Sequence, residues 1–225
     1  MLEFLGFVSL LLGAPLAWAA FRGHGAELLL SALVVVGVSV VVTVAKLSFV
    51  ALDVDNHALS LIASTAIEEY TRFALATVIL LKFAKRNLHA LALLGYLYGV
   101  VEVFVNYNTI AFGSISALFG ADIDASPSTK TVLLASGILF LRPMIHACFT
   151  VAFVAGLQRS RGIFAAASLL LHIVLNFVIV KFHLSIYDVE SMDQLFLVSV
   201  TALAIAFALA ARVSNAESRP PARAR

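Results

Sequence analysis

Charge is scarce in this sequence. Asp, Glu, Lys and Arg make up 12% of its 225 residues and hydrophobic side chains 62%, and the mean hydropathy is +1.03. That balance excludes an ordinary soluble domain. Cysteine is nearly absent, and the single Cys148 excludes an internal disulfide framework. The first apolar run follows Glu3 with no Lys or Arg ahead of it, whereas a signal peptide carries positive charge there. Although "APLAWAA" offers small residues for cleavage, the run is therefore read as a retained helix. The sequence has no evident internal repeat, soluble module or His-Glu-x-x-His zinc signature. No nucleic-acid partner is expected.

What is present is length of apolar chain. A spanning helix needs about 20 mainly apolar residues, and the sequence divides into seven such runs, at 2–21, 28–52, 58–82, 88–112, 131–157, 162–182 and 193–213. The expected fold is an all-α polytopic bundle of about seven transmembrane helices in one domain, 1–213, with the lipid bilayer as its surroundings. The remainder, 214–225, holds "NAESRPPARAR" and reads as a disordered basic tail. When the loops are placed alternately, one side collects Arg22, Lys82, Lys85, Arg86, Arg159, Arg161, Arg212, Arg219, Arg223 and Arg225, ten of the 15 basic residues. The other side has Lys130 and Lys181. The positive-inside bias then predicts an outer N-terminus and a cytoplasmic C-terminus.

Polar residues interrupt four successive runs. Glu68 and Arg72, Glu102 and Asn106, Arg142 and His146, and His172 and Asn176 are each spaced i, i+4, which puts both members on one helix face. Counted from the cytoplasmic ends, Glu68 and Glu102 lie about 14 residues in, His146 about 11 and His172 about 10, or roughly 15–21 Å at 1.5 Å per residue. That is close to the centre of a ~30 Å core. Ionisable groups there face the bundle interior rather than lipid. The four stripes, on helices within about 58–182, are expected to converge on one buried polar site. Taken singly, each has a plainer role: Glu68 with Arg72 as a structural ion pair, the histidines and asparagines as interhelical hydrogen-bond partners, and "GYLYG" as a close helix contact.

These residues resemble a known family. "EEYTR" resembles the Glu-Glu-x-x-Lys/Arg first motif of the PrsW-type intramembrane proteases, "GYLYGVVE" their Gly-rich second motif, "HACFT" the third and "HIVLN" the closing His-x-x-x-Asn/Asp. The stretch covers 66 to about 177, half the chain. The related CAAX prenyl protease and bacteriocin-processing family has Glu-Glu-x-x-x-Arg and a second motif ending in His. Here Arg72 comes one residue earlier and Glu102 stands in place of that histidine, so the PrsW branch is the better match.

The resemblance implies peptide hydrolysis of a membrane-anchored protein or peptide in a prokaryotic cytoplasmic membrane, with an anti-sigma factor as one such substrate. Peptide hydrolysis needs an activated water, a donor to the oxyanion and an acid for the leaving amine. The family pattern implies Glu68, beside Glu69, as the base, with Glu102 or His146 sharing the proton transfers. It gives His172 and Asn176 the oxyanion and Arg72 the balancing charge. No cofactor is expected, with a zinc site as the alternative, because two histidines and a carboxylate form a ligand set with an open position for water. Two other classes fit less well. A proton-coupled transporter also carries midplane ionisable groups but usually shows duplicated halves, and a non-catalytic scaffold would keep the fold to hold a partner helix.

Overall fold

Within an apolar run in lipid, a backbone has no water to bond, and a lone segment satisfies its own N–H and C=O groups only as a helix. The structure, a computed structural model, describes parts of 22–41, 62–74 apart from 64 and 72, 88–103 apart from 102, 129–183, and 189–215. Among these residues the regular structure is all helical. We label α1 the helical residues within 62–74, α2 Leu88–Val101, α3 Thr129–Thr150, α4 Gly162–His183 and α5 Val189–Asn215. The last three match three of the expected runs to within a few residues. The expected run 2–21 lies outside the described residues, and the runs 28–52, 58–82 and 88–112 are described only in part.

α3 continues past Thr150 through a π-helical turn, Val151–Ala155, and a short α segment, Gly156–Gln158. All five residues of the π turn are buried. The chain then reverses at Arg159 to Arg161. The N–H of Arg161 bonds the carbonyl of Gly156 at 2.8 Å and that of Ser160 the carbonyl of Leu157 at 3.2 Å, while Ser160 takes a left-handed φ of 56°. This pair of bonds closes a helix end by satisfying carbonyls that would otherwise be orphaned. It sends α4 back antiparallel to α3.

α5 runs parallel to α3 and is tied to it at both ends. Near their N-termini Lys130 and Asp193 form an exposed ion pair. At the other end Arg159 Nη1 donates to the Val213 carbonyl at 2.6 Å, a cation meeting the partial negative charge of a helix C-terminus. Lys130 and Asp193 therefore share one end of the bundle, and Arg159 shares the opposite end with Val213, next to Arg212. This is the relative sidedness read from the loop charges.

Among the described residues the core is mostly apolar, yet nine polar or charged residues are buried in it and many large apolar ones are exposed. Thr65, Glu68, Glu69, Arg142, His146, Thr150, Ser168, His172 and Ser199 are buried, while Leu133, Ile163, Leu170, Leu197, Ile205 and Phe207 are largely exposed. In α5 a stripe of Leu195, Ser199, Ala202, Ala206, Ala210 and Val213 faces inward at helical spacing, and the opposite face is apolar as well. A helix apolar all round belongs in a large core or a membrane. Ser136–Gln158 and Asp193–Asn215, 23 residues each, are long and apolar enough to cross a bilayer. Among the described residues these two are the candidate membrane spans of an all-helical structure.

α2 approaches α3 more closely than side chains allow. A Cβ on Gly95 would lie 2.4 Å from the His146 carbonyl oxygen and 2.5 Å from Thr150 Oγ1, and one on Gly99 would lie 2.6 Å from Pro143 Cα. The "GYLYG" pattern is thus a close helix contact of the small-x-x-x-small kind. It packs against the stretch of α3 that carries His146.

Candidate functional site

Three helices aim polar side chains at one another inside this apolar bundle. α1 supplies Thr65, Glu68 and Glu69, α3 supplies Arg142, His146 and Thr150, and α4 supplies Ser168, His172 and Asn176. Glu68 is 5% exposed, Glu69 1%, His146 4% and His172 1%. A carboxylate this deep costs several kcal/mol unless it is paired and hydrogen-bonded. Glu69 meets part of that demand through Oε1, which is hydrogen-bonded to His172 Nδ1.

His172 is constrained on three sides. Phe149 stacks on its ring at a centroid distance of 4.9 Å and 28°, and His146 meets it edge-on at 4.9 Å and 81°. With Nδ1 occupied by Glu69, Nε2 is the nitrogen left for other partners, and the tautomer protonated at Nδ1 suits an ionised Glu69. Tyr98 of α2 lies against the His146 ring at 5.5 Å.

The central feature is a triangle. One polar atom from each of Glu68, His146 and His172 lies within 4.8 Å of the others. A water bonded at ~2.8 Å in tetrahedral directions holds its partners about 4.6 Å apart. A tetrahedral zinc with N and O ligands at 2.0–2.2 Å requires about 3.4 Å between them. Both separations fall within that 4.8 Å bound, so the triangle suits either a bridging water or a metal ion.

One turn from this centre, Asn176 Nδ2 donates to Thr65 Oγ1 at 3.0 Å. On the other side, Ser168 Oγ donates to the Phe149 carbonyl at 3.2 Å, beside the start of the π turn. Register changes of this kind inside α-helices often accompany functional sites.

Of the residues singled out from sequence, Glu68, Glu69, His146 and His172 come together, and Asn176 lies one turn away from His172. Arg142 is buried one turn before His146. Arg72, Glu102 and Asn106 lie outside the described residues. Sequence reasoning missed Thr65, Tyr98 and Phe149. Thr65 had a signal, since it precedes Glu69 by four residues on an otherwise apolar helix. Phe149 had none, because an aromatic in an apolar run reads as core.

No family model, curated protein or solved structure matches this chain.

Proposed function

We propose that the protein is an intramembrane endopeptidase that hydrolyses a peptide bond of a membrane-anchored protein or peptide. In this reading seven helices span a prokaryotic cytoplasmic membrane with the N-terminus outside. The observation that carries it is the buried triangle of Glu68, His146 and His172, with Glu69 behind His172. A base and two imidazoles gathered in an apolar bundle are parts that peptide hydrolysis needs. The likeness of the four sequence motifs to PrsW-type proteases points the same way.

Glu68 takes a proton from the water as it attacks the scissile carbonyl. His146, with Glu102, passes that proton toward the leaving amine. His172, doubly protonated with Nδ1–H held by Glu69 and its ring stacked on Phe149, donates through Nε2 to the oxyanion, and the Asn176 amide supplies a second donor. Glu69 acts by orienting His172 rather than by touching the water. Arg72 balances the two carboxylates.

A zinc-dependent form of the same reaction has one observation in its favour. Metal-bound histidines usually hand their other nitrogen to a carboxylate, as His172 does to Glu69. Glu68, His146 and His172 would hold the ion, which would supply a Lewis acid and a more acidic water. Both forms fit the 4.8 Å bound on the triangle, and chelation separates them.

The test is cleavage of a transmembrane reporter by the purified protein. Activity that survives strong chelators and is lost on Glu68→Gln supports the glutamate-activated form. Loss on chelation that zinc alone restores supports the metal form.

A further inference from the structure

The Thr65–Asn176 hydrogen bond and the Glu69–His172 hydrogen bond form two rungs between α1 and α4. Thr65 is one turn before Glu69, and Asn176 is one turn after His172, so on antiparallel helices the pairs 65 with 176 and 69 with 172 fall in register. Thr65 is 1% exposed. A hydroxyl has little reason to be in this packed interior unless it binds something, and its position directs it to the Asn176 amide at 3.0 Å.

An asparagine amide has a weakness as an oxyanion donor. Its terminal torsion is broad and roughly two-fold, so a half-turn exchanges NH2 for C=O and turns a donor into an acceptor. Something must select the orientation. From this geometry we propose that Thr65 is a positioning residue that locks the Asn176 amide in its donating orientation, holding one N–H so that the second is available to the reaction. The inference rests on the protease reading and adds to it the group that sets the amide.

The experiment uses the full-length protein in liposomes and a quenched-fluorescent transmembrane reporter selected by wild-type cleavage. Thr65→Val replaces the hydroxyl by a methyl of similar shape. It is expected to lower kcat about tenfold with KM and thermal midpoint nearly unchanged, a fraction of the ~10²–10³ expected for removing a whole oxyanion donor by Asn176→Ala. Thr65→Ser is expected to restore most of the rate. Because Thr65 acts through Asn176, the double variant Thr65→Val/Asn176→Ala is expected to be no slower than Asn176→Ala alone. The proposal is overturned by a Thr65→Val protein within twofold of wild-type kcat, by losses that multiply in the double variant, or by a Thr65→Val protein that does not fold, which would make the hydroxyl a structural strut. Failure of the protease reading has a different signature: the purified wild-type protein then leaves transmembrane reporters uncut.

Discussion

Glu69 and His172 stand 103 positions apart in the chain and meet in a hydrogen bond at the buried centre of the bundle. That contact joins α1 to α4, and His172 also has a ring nitrogen within 4.8 Å of polar atoms of Glu68 and His146.

If Glu69 orients His172, Glu69→Ala removes both a hydrogen-bond acceptor and a buried counter-charge. The expected outcome is a stability loss of about 3–5 kcal/mol, as for other broken buried pairs. Glu69→Gln, which keeps an acceptor, should lose less stability while turnover falls about 10–100-fold, the usual effect of losing a group that orients an active-site ligand. Denaturant titration in detergent and reporter cleavage measure the two effects separately.

The close approach of α2 to α3 makes a second prediction. Gly95→Ala places a carbon against the His146 carbonyl and Thr150, with backbone on one side that does not yield. Overpacking of this kind typically costs 1–3 kcal/mol, and it should displace His146 and slow cleavage as well. Gly162→Ala, where nothing lies within 4 Å of the added carbon, is the control and should leave both quantities near wild type.

Orientation is tested by labelling. In a Cys148→Ala background, Thr129→Cys and Ser160→Cys place thiols at exposed positions at opposite ends of the α3 region. A membrane-impermeant maleimide added to intact cells should label the first and not the second. The reverse pattern would invert the orientation inferred from the basic loops.

Much of this was legible in the sequence for a simple reason. Apolar helices are announced by unbroken apolar length, so α3, α4 and α5 fall close to where the runs do, and polar groups in such runs tend to face the interior. The i, i+4 pairs therefore named His146, His172 and Asn176 before any contact was known. Other features depend on packing. Whether Glu68 or Glu69 meets His172 turns on a 100° rotation of α1, which periodicity in an apolar stretch does not fix. The π turn at Val151–Ala155 leaves no mark, because "VAFVA" is apolar on every side. The Lys130–Asp193 pair joins positions 63 apart, and its two charges read alone as loop charges.

The most direct measurement concerns Glu68. Glu68→Gln keeps the shape and much of the hydrogen bonding of the side chain but cannot accept a proton. If Glu68 is the base, cleavage of a transmembrane reporter should fall by the ~10²–10⁴ typical of losing general base catalysis, with a thermal midpoint close to wild type. A Glu68→Gln protein that cleaves at the wild-type rate while losing stability, with stability partly regained on adding Arg72→Met, would contradict the account and make Glu68 a structural partner of Arg72.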